Sequence, residues 1–257
     1  MNTNLLLPPV VKNLLIINGL FFLAKFSFPE DELGRNALDA TLGMYYVGSP
    51  LFRPWQVISH LFMHGDVGHL FTNMFGLFMF GGPVERLLGS KRFLVYYLAC
   101  GLGAAALHTG VNAYEVRRDE AVLASYGVDV REVRDAVAAP TLAEADQALN
   151  NVLATHGAPQ QAVVQVFRDH LGTIIGASGA VFGILLAFGM LFPEQEIFLL
   201  LLPIPIKAKY FVVIYGLVEL FMGLKQSPGD NVAHFAHLGG MIFGFLLLRH
   251  WRRHRLI

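Results

Sequence analysis

Six long apolar blocks, separated by polar connections, run along this chain. A membrane-spanning helix needs about 20 mainly apolar residues, and the shorter blocks approach that length once flanking residues are added. The pattern therefore predicts an all-α fold, a polytopic membrane bundle of six transmembrane helices that forms a single domain over residues 1–257. The blocks comprise residues 10–26, 58–80, 93–111, 171–192, 210–224 and 236–248.

The first apolar block has the length of a secretory signal peptide. No small-residue cleavage site follows its apolar core, and Lys25 stands at its end. We therefore expect this segment to be retained as the first transmembrane helix. A compact chain without targeting extensions suits the plasma membrane of a bacterium, the inner membrane where there are two.

Basic residues cluster in alternate connections between the blocks. They lie between the second and third blocks, between the fourth and fifth, and after the sixth, whereas the first connection is richer in acidic residues. Positive charge marks the cytoplasmic side of a membrane protein. Both termini are therefore predicted to be cytoplasmic, and the second, fourth and sixth helices to run from the outside inwards. The basic residues are Arg86, Lys91, Arg92, Lys207, Lys209, Arg249, Arg252, Arg253 and Arg255.

The overall composition fits a membrane protein better than a soluble one. Hydrophobic residues make up 54% of the 257 residues and charged residues only 15%, whereas a soluble domain carries about a quarter charged residues. The formal net charge is zero, so electrostatics gives no reason to expect a nucleic-acid partner. The single cysteine, Cys100, can form no internal disulfide, and we interpret it as a small packing residue.

Residues 112–170 form the one long polar interruption, which the predicted orientation places outside the membrane. Thr141 and Glu144 have the spacing of a capping box, and Gly157 is suited to end a helix. We expect two or three short amphipathic helices in this extracytoplasmic insertion. A solvated insertion packed on the membrane surface is the favoured interpretation, and a contact with substrate or partner is the alternative.

Two polar residues lie in apolar blocks beside glycines. Ser178 stands in the sequence GASGAVFG, and His237 stands in AHLGGMIFG. Polar groups are costly inside a membrane and point to a functional site. The glycines let neighbouring helices approach closely, and Gly240 with Gly244 forms a small-residue face suited to packing against the fourth helix. A serine and a histidine in such surroundings suggest a nucleophile and its base.

Four polar residues reach one depth when their positions are counted along the helices. At about 1.5 Å per residue, Ser178 lies about 22 Å and His237 about 18 Å from the cytoplasmic ends of their blocks. On the second block, His69 and Asn73 lie about 24 and about 18 Å from the corresponding end. In a hydrocarbon layer about 30 Å thick, all four lie about 6–12 Å below the outer face. A shared site near that face is therefore predicted.

The residue types at this depth complement one another chemically. A serine becomes a nucleophile when a base within hydrogen-bond reach takes its proton, as neutral histidine does. His69 and Asn73 share one helix face and can donate to an oxyanion, and so can the backbone N–H groups near Ala177 if a helix begins there. Gly176 would let a substrate backbone approach. No acidic residue is placed to orient the histidine, so a Ser–His dyad is expected, and the buried acid Glu219 receives no role.

Three motifs together resemble the rhomboid family of intramembrane serine proteases. They are HLFMHGDVGHLFTNMFGLFMFGGPVERLLG, GASGAVFG and AHLGGMIFG, and the resemblance extends over all six blocks in order. It implies that Ser178 is the nucleophile and His237 the general base, with Phe182 packing on the histidine. It also implies an oxyanion site formed by His69, Asn73 and the Ser178 amide.

The resemblance implies a serine endopeptidase that cleaves membrane-anchored proteins near the outer membrane face. Its partners are then transmembrane protein substrates and the lipid bilayer, and the reaction needs no cofactor. The oligomeric state stays open. Two other functions remain as alternatives: a catalytically inactive rhomboid-like protein that binds transmembrane helices, and a small transporter or channel. The apolar inner halves of the fourth and sixth blocks disfavour transport.

Other histidines compete for roles in the site. His234 lies three residues before His237 on the same helix face and is a second candidate for the base. His237 is preferred because it precedes the small-residue run and fits the motif of the family that the chain resembles. His60 and His64 have metal-ligand spacing, yet the chain lacks an HExxH motif and clustered carboxylates, so no metal site is predicted. Hydrogen bonding around a hydrated cavity is the preferred interpretation of these two.

Overall fold

The computed structural model describes residues 7–32, 34–199, 202–225 and 232–257, and these residues are mostly helical. Short strands and turns connect the helices. In chain order the helices are α1 (Pro9–Lys25), α2 (Ala37–Leu42), α3 (Gln56–Ser59), α4 (Val67–Gly76), α5 (Gly82–Leu88), α6 (Ser90–Ala124), α7 (Val130–Val137), α8 (Leu142–His156), α9 (Gln160–Leu171), α10 (Ser178–Leu191), α11 (Ala208–Lys225) and α12 (His234–Arg253).

Contacts between residues divide the chain into two compact units. The first unit takes in residues up to Phe22, together with His64–His108 and Gly176–Ile257. The second unit takes in Leu23–Met63 and Thr109–Ile175. The serine and the histidine that the sequence singles out both belong to the first unit.

Helix α10 lies in the interior of the first unit. Its residues are apolar around the whole circumference, and Ala180, Ile184 and Ala187 are each 0% exposed. A helix that is hydrophobic on every side is stable only when other elements surround it. The helix packs against α11 and α12, where Phe182 and Leu185 share an apolar cluster with residues of both neighbours. The predicted fourth block is therefore the central helix of this unit.

The second and fourth apolar blocks are not continuous helices, although the sequence predicts one transmembrane helix for each block. A 3-10 turn at His60–Phe62 follows α3, and α4 begins only after Asp66, whose carboxylate accepts the backbone N–H of His69. A π-helical turn, Leu77–Gly81, then joins α4 to α5. In the fourth block the helix begins at Ser178 instead of residue 171. Polar caps and glycines set these ends, and hydropathy alone does not register them.

By length and composition, α6 is the one helix in the described residues that could cross a membrane. It is 35 residues long and continues past residue 111, where the apolar block ends. Helix α10 is also apolar but has 14 residues. The number of six spans therefore stays a prediction that rests on the apolar blocks of the sequence.

A buried carboxylate anchors the first helix within the first unit. Both oxygens of Glu85 accept backbone N–H groups of α1, from Val10 at 3.0 Å and from Val11 at 2.8 Å. The first N–H groups of a helix have no partner within it, and a negative charge there also favours the helix dipole. Glu85, which is 1% exposed, thus stabilises the start of α1 from a distant part of the sequence.

Glycines bring α12 into backbone contact with its neighbours. A Cβ atom on Gly240 would lie 1.8 Å from the carbonyl oxygen of Gly179 on α10, and one on Gly244 would lie 2.3 Å from the Tyr96 hydroxyl on α6. Only hydrogen at these positions permits the observed approach. The predicted packing of Gly240 against the fourth helix is confirmed, whereas Gly244 faces the third.

We expect Gly240→Ala to lower the free energy of unfolding by about 1–3 kcal/mol, because the new methyl group must displace a backbone carbonyl. Thermal unfolding in detergent, followed by circular dichroism, measures the change. Gly110→Ala is a matched control, since this helical glycine has no neighbour within 4 Å of its Cβ position. The control should be neutral or slightly stabilising. Equal melting temperatures for the two variants would contradict the packing described here.

The polar region 112–170 is helical, as the sequence predicts. Its first residues extend α6 to Ala124, and the shorter helices α7, α8 and α9 follow. The Thr141 side chain accepts the backbone N–H of Glu144 at the start of α8, and Gly157 ends that helix with φ +63°. Both predicted helix ends are confirmed. These helices share a small apolar core in the second unit, formed by residues such as Leu123, Val133 and Val163.

Short strands depart from the all-α expectation. In the second unit, β1 (Met44–Tyr45) pairs antiparallel with β2 (Thr173–Ile174). In the first unit, β3 (Glu196–Leu199) pairs antiparallel with β4 (Leu202–Lys207). Strand β4 carries two prolines, which suit an edge strand because they need not donate to a neighbour. The described residues are otherwise mostly helical. The two strand pairs are therefore a small addition to the predicted all-α fold, and the helical architecture is unchanged.

Candidate active site

The helix that carries Ser178 begins at this residue. Gly176 precedes it with φ +127°, a conformation that glycine adopts readily, and Ala177 is the N-cap. The first hydrogen bond of the helix runs from the N–H of Val181 to the carbonyl of Ala177, at 3.0 Å. The N–H groups of the first turn, including that of Ser178, thus have no acceptor within the helix. They are suited to stabilise a negative charge that develops beside the serine.

His237 lies in the first turn of α12, with one face of its ring covered. The Phe182 ring of α10 stacks on it with a centroid distance of 4.0 Å and an angle of 7° between the planes. The packing predicted for Phe182 is therefore confirmed. Because His237 is only 8% exposed, the aromatic ring and the surrounding helices leave its imidazole few alternative orientations.

The backbones of α10 and α12 meet beside these two residues. A Cβ atom on Gly179 would lie 3.4 Å from the carbonyl oxygen of Ala236. Gly179 directly follows Ser178, and Ala236 directly precedes His237. The glycine contact therefore brings together the two helices at the points where they carry the serine and the histidine.

His69 and Asn73 lie on successive turns of α4, as expected from their spacing. The His69 ring lies against Gly176, where a Cβ atom would be 2.7 Å from His69 Nε2. This imidazole is therefore next to the segment that leads into Ser178. The Asn73 side-chain amide donates to the carbonyl of His69 at 2.9 Å, so part of its donor capacity is used within its own helix. On its other side His69 contacts the His64 ring, with centroids 5.1 Å apart.

An acidic residue contacts the histidine, contrary to the sequence-based expectation that none would do so. Oε2 of Glu219, on α11, and Nδ1 of His237 are joined by a hydrogen bond of 2.8 Å. The carboxylate side chain is 6% exposed. A depth count marks Glu219 as a candidate without giving its partner: it lies six residues, or about 9 Å, before Lys225, the end of its helix that the predicted orientation places outside.

His234 shares the same carboxylate. Its Nδ1 lies 2.7 Å from Oε2 of Glu219, and the ligand atoms of Glu219, His234 and His237 all lie within 4.8 Å of one another. In the part of the chain that the structure describes, this is the one group with spacing suitable for a metal ion, and it does not include His60 or His64. The His60 ring instead makes a 2.8 Å hydrogen bond with the carbonyl of Gln56.

A family model described as the Rhomboid domain matches residues 52–127 and 151–253 of the chain. The matched segments contain Ser178, His237 and Glu219, and residues 128–150 lie outside them. Most of the chain, including every residue discussed for the site, thus falls within the match.

Curated relatives are similar at low identity. RHOMBOID-like protein 4 of Arabidopsis thaliana is 28% identical over 233 residues, which cover 88% of this chain and 43% of the relative. RHOMBOID-like protein 12, mitochondrial, of the same plant is 26% identical over 235 residues, covering 80% of this chain and 56% of the relative. Rhomboid protease GluP of Bacillus subtilis (strain 168) is 40% identical over 48 residues, 19% of this chain and 10% of the relative. The chain spans about half the length of the two plant relatives.

Proposed function

Because the chain belongs to the rhomboid family, whose members are embedded in membranes, we propose that it is an intramembrane serine endopeptidase. It cleaves membrane-anchored proteins near the outer membrane face, with Ser178 as nucleophile and His237 as general base. The observation that carries the proposal is the contact of α10 with α12, in which Phe182 stacks on His237 beside the backbone contact of the two helices.

In the proposed reaction, the Ser178 hydroxyl attacks the carbonyl carbon of the scissile peptide bond while Nε2 of His237 accepts its proton. The resulting oxyanion is stabilised by the first-turn N–H groups of α10 and by His69 and Asn73 on α4. The protonated His237 then donates to the leaving amine, and an acyl-enzyme remains on the serine. Water hydrolyses this ester with the histidine again acting as base and then as acid. No metal or cofactor enters these steps.

The proposed setting is a bilayer crossed by six segments, with both termini in the cytoplasm and residues 112–170 outside. Exposed apolar side chains on α11 support it: Leu217 is 60%, Phe221 64% and Leu224 70% exposed. Water penalises such a row of large apolar groups, whereas lipid does not. We assign the protein to a bacterial plasma membrane, although one of the similar plant proteins is named as mitochondrial.

The substrate helix has to unwind before it can be cleaved, because its backbone carbonyls are otherwise hydrogen-bonded within the helix. We expect a transmembrane reporter with a Gly-Pro pair near its outer boundary to be cleaved about tenfold faster than the same reporter with Leu-Leu at that position. Gel analysis of cleavage in proteoliposomes measures the two rates. Equal rates would contradict the requirement for unwinding, and no cleavage of either reporter would contradict the protease assignment.

A further inference from the structure

The Glu219 carboxylate is buried between two imidazole rings of the neighbouring helix. Its Oε2 atom lies 2.8 Å from Nδ1 of His237 and 2.7 Å from Nδ1 of His234. The side chain is 6% exposed, and those of the two histidines are 10% and 11% exposed. With Glu219 ionised, the carboxylate can only accept hydrogen bonds, and both Nδ1 atoms then carry the proton. The carboxylate thus links the two imidazoles in a largely buried hydrogen-bonded cluster.

This hydrogen bond determines which nitrogen of His237 can act as a base. A neutral imidazole has one N–H and one unprotonated nitrogen, and a partner on one side fixes the state of the other. With the proton on Nδ1 and directed at Glu219, Nε2 carries the lone pair. Nε2 is the atom that must accept the serine proton in the proposed reaction, so the carboxylate selects the competent tautomer.

The orientation of the His237 ring is also fixed from two directions. Phe182 covers its face at 4.0 Å, and Glu219 holds its Nδ1 edge at 2.8 Å. Stacking alone still allows the ring to turn within its plane, and the directional hydrogen bond removes that freedom. When the ring becomes imidazolium during the reaction, the nearby negative charge stabilises it.

A metal ion is the competing explanation for this cluster, since two imidazoles and a carboxylate form a suitable ligand set. Two ligands on a tetrahedral zinc ion lie about 3.3 Å apart, given metal–ligand distances of about 2.0–2.1 Å. The observed separations of 2.7 and 2.8 Å between oxygen and nitrogen are hydrogen-bond lengths. The geometry therefore favours protons between these atoms.

We propose that Glu219 is a positioning residue that orients His237 and fixes its tautomer, so that the site works as a Ser–His–Glu triad instead of a dyad. This inference rests on the proposed function, because it assigns Glu219 a role in the same reaction. The contact of Glu219 that bears on the reaction is the one with Nδ1 of His237. The carboxylate acts through the imidazole, and its effect should therefore fall on the chemical step and not on substrate binding.

Glu219→Gln tests the role with a side chain of nearly the same size. Its amide can donate to Nδ1 and so favour the wrong tautomer, which in a soluble protease triad lowers kcat by about 10⁴. We expect a smaller loss of about 100-fold in kcat here, since Phe182 still restrains the ring, with KM within about twofold of wild type. The rate of labelling by a fluorophosphonate probe should fall in parallel, because that reaction needs no substrate helix.

Glu85→Gln is the matched control, because it also removes a buried, hydrogen-bonded carboxylate from the first unit. It should lower the melting temperature and leave kcat per folded molecule unchanged. Treatment with EDTA should not change the wild-type rate. A loss of activity with EDTA that zinc restores would overturn the proposal in favour of a metal site.

The result for Ser178→Ala separates this inference from the proposed function. If Ser178→Ala is inactive and folded Glu219→Gln keeps kcat within threefold of wild type, the triad is wrong and the protease assignment stands. If Ser178→Ala cleaves like the wild type, the proposed function itself fails. A large fall in kcat for Glu219→Gln, with a normal melting curve, supports the triad.

Discussion

Ser178→Ala is expected to abolish proteolysis, with a fall in kcat/KM of about 10⁴–10⁶ for a transmembrane reporter in proteoliposomes. The variant keeps the helix start, the free first-turn N–H groups and the glycine contact with α12, and it loses only the attacking oxygen. Without that oxygen no acyl-enzyme can form, and water would have to attack directly. Gel densitometry of the cleaved reporter over time measures the loss.

Ser125→Ala is a suitable control for the loss of a hydroxyl group. Ser125 follows the end of α6 in the second unit, and its exposed hydroxyl donates to the carbonyl of Val122. We expect wild-type cleavage from this variant. A different outcome is that the wild type binds the reporter without cleaving it and Ser178→Ala binds it equally well. The protein would then be an inactive rhomboid-like binder of transmembrane helices.

Replacement of His237 should have the second largest effect. We expect His237→Ala to lower kcat/KM by about 10³–10⁵, because it removes the base that activates the serine. His234→Ala should reduce it by less than about tenfold, since this variant removes one of two hydrogen bonds to Glu219 and leaves His237 in contact with both Glu219 and Phe182. The same reporter assay measures both variants.

The two histidines are good controls for each other, because both lie in the first turn of α12 and both bind Glu219. A similar melting temperature for the two variants would show that any difference in rate is chemical. If His234→Ala were inactive and His237→Ala retained most activity, the role of general base would belong to His234.

Much of the helical scaffold could be predicted from hydropathy, because buried and lipid-exposed helices are apolar along their length. Hydropathy predicts α10 and α12, and glycines support both predictions. Gly176 and Gly179 lie on either side of Ser178, and Gly239 precedes the tight contact at Gly240. Glycine and polar caps act over one or two residues and leave a trace in the sequence. The ends of α8 were therefore predictable, whereas the start of α10 at Ser178 was not fixed by the apolar block, which begins at residue 171.

Contacts between distant segments were harder to predict from the sequence. The pairing of Glu219 with His237 joins two helices whose rotation about their own axes is not encoded in residue spacing. The sequence marks Glu219 as costly in an apolar block, but the partner becomes visible only when α11 and α12 are packed. The pairing of β1 with β2 is similar, since each strand has two residues and no periodicity can be recognised over that length.

The sequence did not locate the end of α6, for a different reason. Hydropathy placed the boundary at residue 111, whereas the helix continues to Ala124 through polar residues such as Glu115 and Arg118. Glutamate and arginine are good helix formers, so a loss of apolar character does not end a helix. A sequence window measures where a block stops being apolar, and helix termination is a separate event that needs a cap or a breaker.

The most direct measurement of the central claim is the site at which a fluorophosphonate attaches to the purified protein. Such probes phosphonylate a serine only when a base and oxyanion donors activate it. We expect one adduct per molecule, located at Ser178 by peptide mass spectrometry, and no adduct in Ser178→Ala or His237→Ala. Attachment to another residue, or equal labelling of Ser178→Ala, would contradict the assignment of Ser178 as the nucleophile.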